Sequence, residues 1–249
     1  MKIIASDYDG TLNRSGISDS VRKAIDMWRE HGNIFGIVTG RGIGNVLSVM
    51  RRDNFKSDFF VANNGSVVAD TSGNILFCHT GDTSVTCDVC RLILAHGCGA
   101  ACVNYVDSEV FVCSSDFAKK HEDYVLIDSF SDDKGFTQIS TVCSDDSASE
   151  RLTAVINDVF GGYVSAFQNG ICIDIVPSGV DKASGIRKLL ELKSLGEDAV
   201  CTVGDNNNDL AMIKAFRSYA VQNAIDAVKK TADYTVSDIA ELIERELRR

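Results

Sequence analysis

"IIASDYDGTLN" occupies residues 3–13. A short apolar run meets Asp7, passes Tyr8 and reaches Asp9, with Gly10, Thr11 and Leu12 behind it. Such a run, bounded by Asp and Gly, reads as a buried strand that ends in a turn. Residues two apart on a strand share a face, so Asp7 and Asp9 project from the same side. Two carboxylates that close repel each other, and burying either is costly without compensation. Taken alone, a plain turn accounts for the Asp and Gly as well as a cation site does.

The flanking chain supplies the context. "SDSVRKAIDMWREHG" places Val21, Ala24, Ile25 and Trp28 at helical spacing, with Gly32 as its C-terminal stop. "NIFGIVTG" reads as a second strand, "IGNVLSVMRRDN" as a second helix and "DFFVANNG" as a third strand. Repeated strand–helix–strand units imply a parallel sheet with helices on both faces. From about 82 to 178 the pattern changes. "AACVNYVD" and "EVFVCSS" form one strand pair, "GYVSAFQN" and "ICIDIVPS" another, and helical patterns at 83–96 and 147–159 precede them. That arrangement is α+β with an antiparallel sheet. From 181 the first pattern returns: "DKASGIRKLLELKSLG" is a helix with a Gly stop, and "AVCTVGDNNND" is a strand running into a polar turn. Helix "DLAMIKAF", strand "SYAVQ", helix "AIDAVKKTA", short strand "DYTVS" and terminal helix "DIAELIERELRR" complete the chain. The expected fold is therefore α/β, a Rossmann-like parallel-sheet core formed by 1–81 and 179–249, interrupted by an inserted α+β domain at 82–178.

Composition narrows the function. A chain of 249 residues can bury a substantial core. Its net charge of -10 argues against nucleic acid and against an anionic membrane surface, both of which favour a basic face. No apolar run is long enough to span a bilayer, and the N-terminus does not read as a signal peptide, so a cytoplasmic location is expected. Nine cysteines, an odd number, fit reduced thiols packed as small hydrophobes. Cys87 and Cys90, with Cys98, Cys102 and His96, have some zinc-like spacing, but that stretch reads better as a helix entering a strand.

In open parallel sheets ligands bind beyond the carboxyl ends of the strands. Here those ends carry Asp7 and Asp9, then Thr39, Gly40 and Arg41, then Gly204, Asp205, Asn208 and Asp209, while Lys182 stands where the chain re-enters the core. Asp7, Asp9, Asp205 and Asp209 offer hard oxygen ligands of the kind Mg²⁺ prefers. Lys182, the Thr39 hydroxyl and the amides of Gly40 and Arg41 suit phosphate oxygens. A carboxylate can itself attack phosphorus, which divides one difficult displacement into two easier ones.

These residues closely resemble the haloacid dehalogenase superfamily of aspartate-nucleophile phosphotransferases. "DYDGTL" is similar to its first motif, "IVTGR" to its second, Lys182 to its third and "GDNNND" to its fourth. The long insert, "ANNGSVV" and "SYAVQNAIDAVKKTADYTVSD" resemble the Cof-type sugar-phosphatase branch, in which the insert is a cap domain. The resemblance implies that Asp7 is the nucleophile and that Asp9 is the general acid and base, meeting Mg²⁺ through its main-chain carbonyl. It implies that Thr39, Gly40 and Asn208 hold the phosphoryl group. Lys182 bridges nucleophile and phosphate, Asp205 ligates the metal, and Asp209 lies in or just outside the ligand shell. Ala183 after Lys182, and Gln222 before Asn223, stand where Gly is common in these phosphatases.

The expected activity is Mg²⁺-dependent hydrolysis of small phosphorylated metabolites, sugar phosphates above all, through an aspartyl-phosphate. A phosphoglycolate phosphatase, a phosphomutase and a receiver-like phosphoacceptor are the alternatives. Other polar residues have plainer readings: Asn206 and Asn207 as turn formers, Asn63 and Asn64 as a loop at the cleft rim, and His79, His96 and His121 as structural or surface groups. Arg41 reads equally as a substrate contact or a salt bridge. Trp28, Phe59 and Phe60 read as core.

Overall fold

The computed structural model describes residues 1–118 and 123–249; His121 lies outside the described residues. The chain opens with β1 (Ile3–Ser6), α1 (Asp19–Glu30), β2 (Ile34–Val38), α2 (Ile43–Arg52), β3 (Phe59–Ala62), β4 (Val67–Asp70) and β5 (Ile75–Cys78). Next come α3 (Thr83–Ala95), β6 (Ala100–Asn104), β7 (Glu109–Cys113), α4 (Ser115–Ala118), β8 (Val125–Leu126), β9 (Gln138–Val142), α5 (Asp146–Phe160), β10 (Val164–Asn169) and β11 (Cys172–Pro177). It closes with α6 (Lys182–Lys193), β12 (Val200–Gly204), α7 (Leu210–Ala215), β13 (Arg217–Val221), α8 (Asp226–Thr231), β14 (Tyr234–Val236) and α9 (Ile239–Leu247). Two compact units result: Met1–Phe77 with Asp181–Arg249, and Cys78–Val180.

The first unit is built on a sheet of order β14-β13-β12-β1-β2-β3-β4-β5. From β14 to β3 the pairings are parallel, which is the expected Rossmann-like core. β1 lies at its centre, with all four residues buried, between β12 and β2. Helix α1 turns Val21, Ala24, Ile25 and Trp28 inward, and the Trp28 indole N–H donates to the Ile34 carbonyl at 2.9 Å. Each fully buried side chain of this size contributes about 1.5–3 kcal/mol. Gly36 has a packing role, because a Cβ there would lie 2.2 Å from the Phe59 ring.

The sequence reading omits β4 and β5, and two further features depart from it. β4 runs antiparallel to β3, so the far edge of the sheet is not parallel. The helix at 182–193 does not stop at Gly196: Ser194 ends it in the left-handed conformation, φ 54°, with its N–H on the Glu191 and Leu190 carbonyls.

The second unit holds a sheet of order β10-β11-β9-β6-β7-β8. Apart from the short parallel pair β7–β8 its pairings are antiparallel, as an α+β unit requires. Its core gathers Val89 and Ile93 of α3, Leu152 and Ile156 of α5, and Ala101, Val103, Ile139, Ile173 and Ile175 of the strands. The sequence reading omits β9, which lies between β6 and β11. "QISTV" mixes polar residues of modest strand preference with two apolar ones, and tertiary pairing decides its conformation. β10 forms one edge, and there the Asn157 side chain of α5 bonds both the N–H (2.8 Å) and the carbonyl (3.0 Å) of Ala166.

Among the described residues no helix is long and apolar enough to cross a membrane.

Candidate active site

The strand register sets the site. Ser6 is level with Ile37 on β2 and with Val203 on β12. One step on, the Asp7 N–H still donates to the Val203 carbonyl, at 3.0 Å. One step further lie Tyr8, Thr39 and Asp205, so the carboxyl ends of three adjacent strands meet along one rim. Beyond it the chain from Tyr8 to Asn13 folds into a tight loop, with Asn13 N–H on the Tyr8 carbonyl (2.8 Å) and Gly10 N–H on the Asn13 carbonyl (3.0 Å). Gly10 sits at φ +83°, and a Cβ on it would lie 2.4 Å from an Asp205 carboxylate oxygen. Only glycine lets that carboxylate approach the loop backbone.

Lys182 is fully buried and joins two carboxylates, 2.7 Å from Asp7 Oδ1 and 2.5 Å from Asp209 Oδ1. Asp181 caps α6 through a capping box with Ser184, which fixes Lys182 in the first turn of the helix. That turn packs on the 3-10 segment Asn63–Gly65: a Cβ on Gly65, at φ +114°, would lie 2.0 Å from the Asp181 carbonyl, and one on Gly185 would lie 2.7 Å from Gly65 Cα. Asp209 Oδ2 accepts the amides of Asp205 (2.8 Å) and Asn206 (3.0 Å), so one side chain holds both Lys182 and the turn bearing Asp205. Asp205 in turn accepts the Thr11 hydroxyl at 2.6 Å.

The electrostatics follow from burial. Removal from water pushes the Asp7 carboxyl well above the ordinary range; Lys182 pulls it back, and Asp209 and Asp205 push it up again. Asp205 is raised for the same first reason. Burial opposes the charge on Lys182, but Asp209 and Asp7 together outweigh it and hold the ammonium above the usual lysine value.

Among the described residues, one grouping of three or more acidic, histidine or cysteine side chains could hold a metal: Asp7, Asp205 and Asp209, each with an oxygen within 4.8 Å of the others. The donors are all carboxylates, which fits a hard divalent cation such as Mg²⁺. Cys87 and Cys90 lie on α3 and are not part of any such grouping. The Asp9 side chain stands outside the triad, forked onto Arg41 with Nε to Oδ2 at 2.6 Å and Nη2 to Oδ1 at 2.8 Å. Thr39 is buried, its Oγ1 accepting the Arg41 N–H at 3.1 Å. Gly40 follows it on the same turn. Asn208 is buried and donates to Asn64 Oδ1 at 3.2 Å.

Asn63 and Asn64 stand at the rim, their N–H groups on the Arg41 and Thr39 carbonyls at 3.0 Å each, and form a buried turn: both are 1% exposed and both take φ 50°. Asn206 is a turn former, its side chain accepting the Asn207 N–H at 2.8 Å. Sequence reasoning misses Thr11 and Asn223. The latter donates to the Gly10 carbonyl at 2.8 Å, 213 residues away in the chain. It also misses the anchor beneath the loop, where the Tyr8 hydroxyl donates to Asp53 and Asn13 Nδ2 reaches both at 2.9 and 3.1 Å.

A family model described as haloacid dehalogenase-like hydrolase matches residues 4–241. The chain belongs to that family. As a haloacid dehalogenase-like hydrolase it has relatives that match along nearly its whole length. It is 28% identical over 255 residues to 5-amino-6-(5-phospho-D-ribitylamino)uracil phosphatase YcsE of Bacillus subtilis, covering 100% of this chain and 95% of that one. A solved haloacid dehalogenase-like hydrolase from B. subtilis superposes with a TM-score of 0.83 at 18% identity, over 98% of this chain and 99% of the other. A subclass IIB sugar phosphatase of the same superfamily superposes with a TM-score of 0.79 at 17% identity, over 100% and 98%. At those identities the two structures speak for the fold, which this hydrolase shares along its whole length.

Proposed function

We propose that this hydrolase cleaves phosphate monoesters of small cytoplasmic metabolites, chiefly sugar and polyol phosphates, with Asp7 as nucleophile. The observation that carries this reading is the buried Lys182 bridging Asp7 and Asp209 at a rim where two further strands end. The phosphorylated ribityl chain in the name of the YcsE relative supports the substrate class.

Asp7 attacks phosphorus, and Lys182 offsets the charge that gathers on the transferring group. Thr39 has its oxygen already engaged by the Arg41 N–H, so its hydroxyl proton is free to donate to a phosphoryl oxygen. Gly40 contributes its amide at the same turn. Asn208, oriented by Asn64, presents its amide to the same group. Asp9 protonates the leaving oxygen and then takes a proton from water, which requires it to exchange its fork with Arg41. Asp7 and Asp205, with the main-chain carbonyl of Asp9 that the family resemblance implies, would ligate a metal, and Asp209, which also accepts from Lys182 and two amides, would lie in or just outside that shell. Mg²⁺ bound there would neutralise phosphate charge as a Lewis acid. The unit at Cys78–Val180 acts as a cap that reads the leaving group, since phosphate and metal occupy the rim of the other unit.

A panel of phosphorylated sugars, polyol phosphates and phosphoglycolate, assayed for phosphate release with Mg²⁺ and with EDTA, tests this. Release with Mg²⁺ and its loss in EDTA are expected. Isomerised phosphate ester would mean a mutase, and a lasting phosphoprotein without turnover would mean a phosphoacceptor.

A further inference from the structure

Cys98 and Cys143 hold their sulfurs 3.5 Å apart. Cys98 lies between α3 and β6, and Cys143 follows β9. Since β6 and β9 pair antiparallel, with Ala101 opposite Thr141, both cysteines sit at the same end of that ladder. Cys87 turns to the Phe130 carbonyl and Cys102 to Glu109, while Cys172 lies near enough to Cys143 to act on its charge. At 3.5 Å two thiols are in contact, and small side-chain rotations bring such a pair to the bond length of about 2 Å. Each residue is 7% exposed.

We propose that Cys98 and Cys143 are a modification site, closing to a reversible disulfide under small two-electron oxidants of the peroxide class. Peroxide transfers a hydroxyl to the Cys98 sulfur as its O–O bond breaks, and hydroxide leaves, taking the Cys98 thiol proton to become water. The Cys143 sulfur then attacks the sulfenic sulfur, the S–S bond forms, the S–O bond breaks, and the Cys143 proton leaves with the hydroxyl as a second water. Two thiols and one peroxide give one disulfide and two waters, and the two electrons lost by sulfur go to the peroxide oxygens. A dithiol reverses the bond by exchange. Burial first, then the neighbouring Cys98, push the Cys143 thiol up to about 12, so its thiolate is scarce at neutral pH and the closing step is slow. The bond ties the entry of β6 to the exit of β9 across 45 residues of chain. A cross-link over a loop of that length removes freedom from the unfolded chain, so the oxidised protein melts higher.

The test treats the folded full-length protein with hydrogen peroxide, removes the peroxide, unfolds the protein in denaturant with a thiol-blocking reagent, digests without reductant and maps linked peptides by mass spectrometry. A Cys98–Cys143 peptide pair that has lost two hydrogens and is released by dithiothreitol is expected. Oxidation should raise the melting temperature of the native protein and of Cys172→Ser, but not of Cys143→Ser. The proposal is overturned if both cysteines remain blockable after treatment, or if the cross-link maps to Cys172 or another thiol.

Discussion

The Arg41 guanidinium grips both carboxylate oxygens of Asp9, at 2.6 and 2.8 Å, while its Cζ lies 5.9 Å from the centroid of the Tyr8 ring. The pair is half in solvent, so its contribution to stability is small, below about 1 kcal/mol. On the proposed mechanism, the fork sets where Asp9 stands before it exchanges Arg41 for the leaving group. Arg41→Gln should therefore leave the urea midpoint almost unchanged while lowering kcat. Single-turnover rates beside an unfolding curve check this, and a large stability loss with normal rates would count against it.

Asp7→Asn should abolish phosphate release, because an amide is a far poorer nucleophile. It should also raise the melting temperature at neutral pH. The sign follows from burial: Asp7 has a folded pKa above its unfolded value of 3.8, so the folded state binds its proton more tightly. The stability this confers is present below that value and is lost as pH rises through the folded pKa. Asn carries no charge to bury, so its advantage should shrink toward pH 4. Melting curves of both proteins between pH 4 and 7, with EDTA present, decide the matter.

Lys182→Met should cost about 3–5 kcal/mol, since it leaves Asp7 and Asp209 buried without their shared cation. The measured quantity is the free energy of unfolding in urea at neutral pH. A variant as stable as the parent would mean that the two carboxylates do not depend on Lys182.

Gly65→Ala should destabilise by more than about 2 kcal/mol, because the new methyl meets the Asp181 carbonyl in a backbone conformation that L-residues avoid. Any folded fraction should also turn over slowly, as the first turn of α6 carries Lys182. Kinetics of the soluble fraction test the second half separately from the first.

The motifs and most strands of both sheets can be read from the chain because their signals are local. Asp7, Thr39, Lys182 and Asp205 each sit at the end of a strand or the start of a helix whose apolar pattern is plain. What stays hidden depends on distant partners. Thr11 and Asn223 look like ordinary loop residues until the fold brings Asp205 to one and Gly10 to the other. Asn63 and Asn64 carry the composition of an exposed turn, and their burial depends on distant partners, among them Asn208, which donates to Asn64. The Arg41 fork is one of two open readings, since spacing says nothing about which carboxylate a flexible guanidinium will choose. Strand β9 escapes a sequence reading because its "QISTV" gains its pairing from β6 and β11 on either side, not from its own residues.

The central strand β1 is made long before its neighbour β12, from which most of the chain separates it. At a synthesis rate of about 5–20 residues per second, about ten seconds or more pass between them. During that interval one edge of "IIAS" has no partner, and Asp7 has neither Lys182 nor Asp205 beside it. The growing chain therefore carries a sticky, half-finished sheet but no competent phosphate trap. The Cys78–Val180 unit, in contrast, is continuous and has every strand of its own sheet available before Lys182 emerges. On the proposed roles, the residues that complete the site are therefore the last to be made.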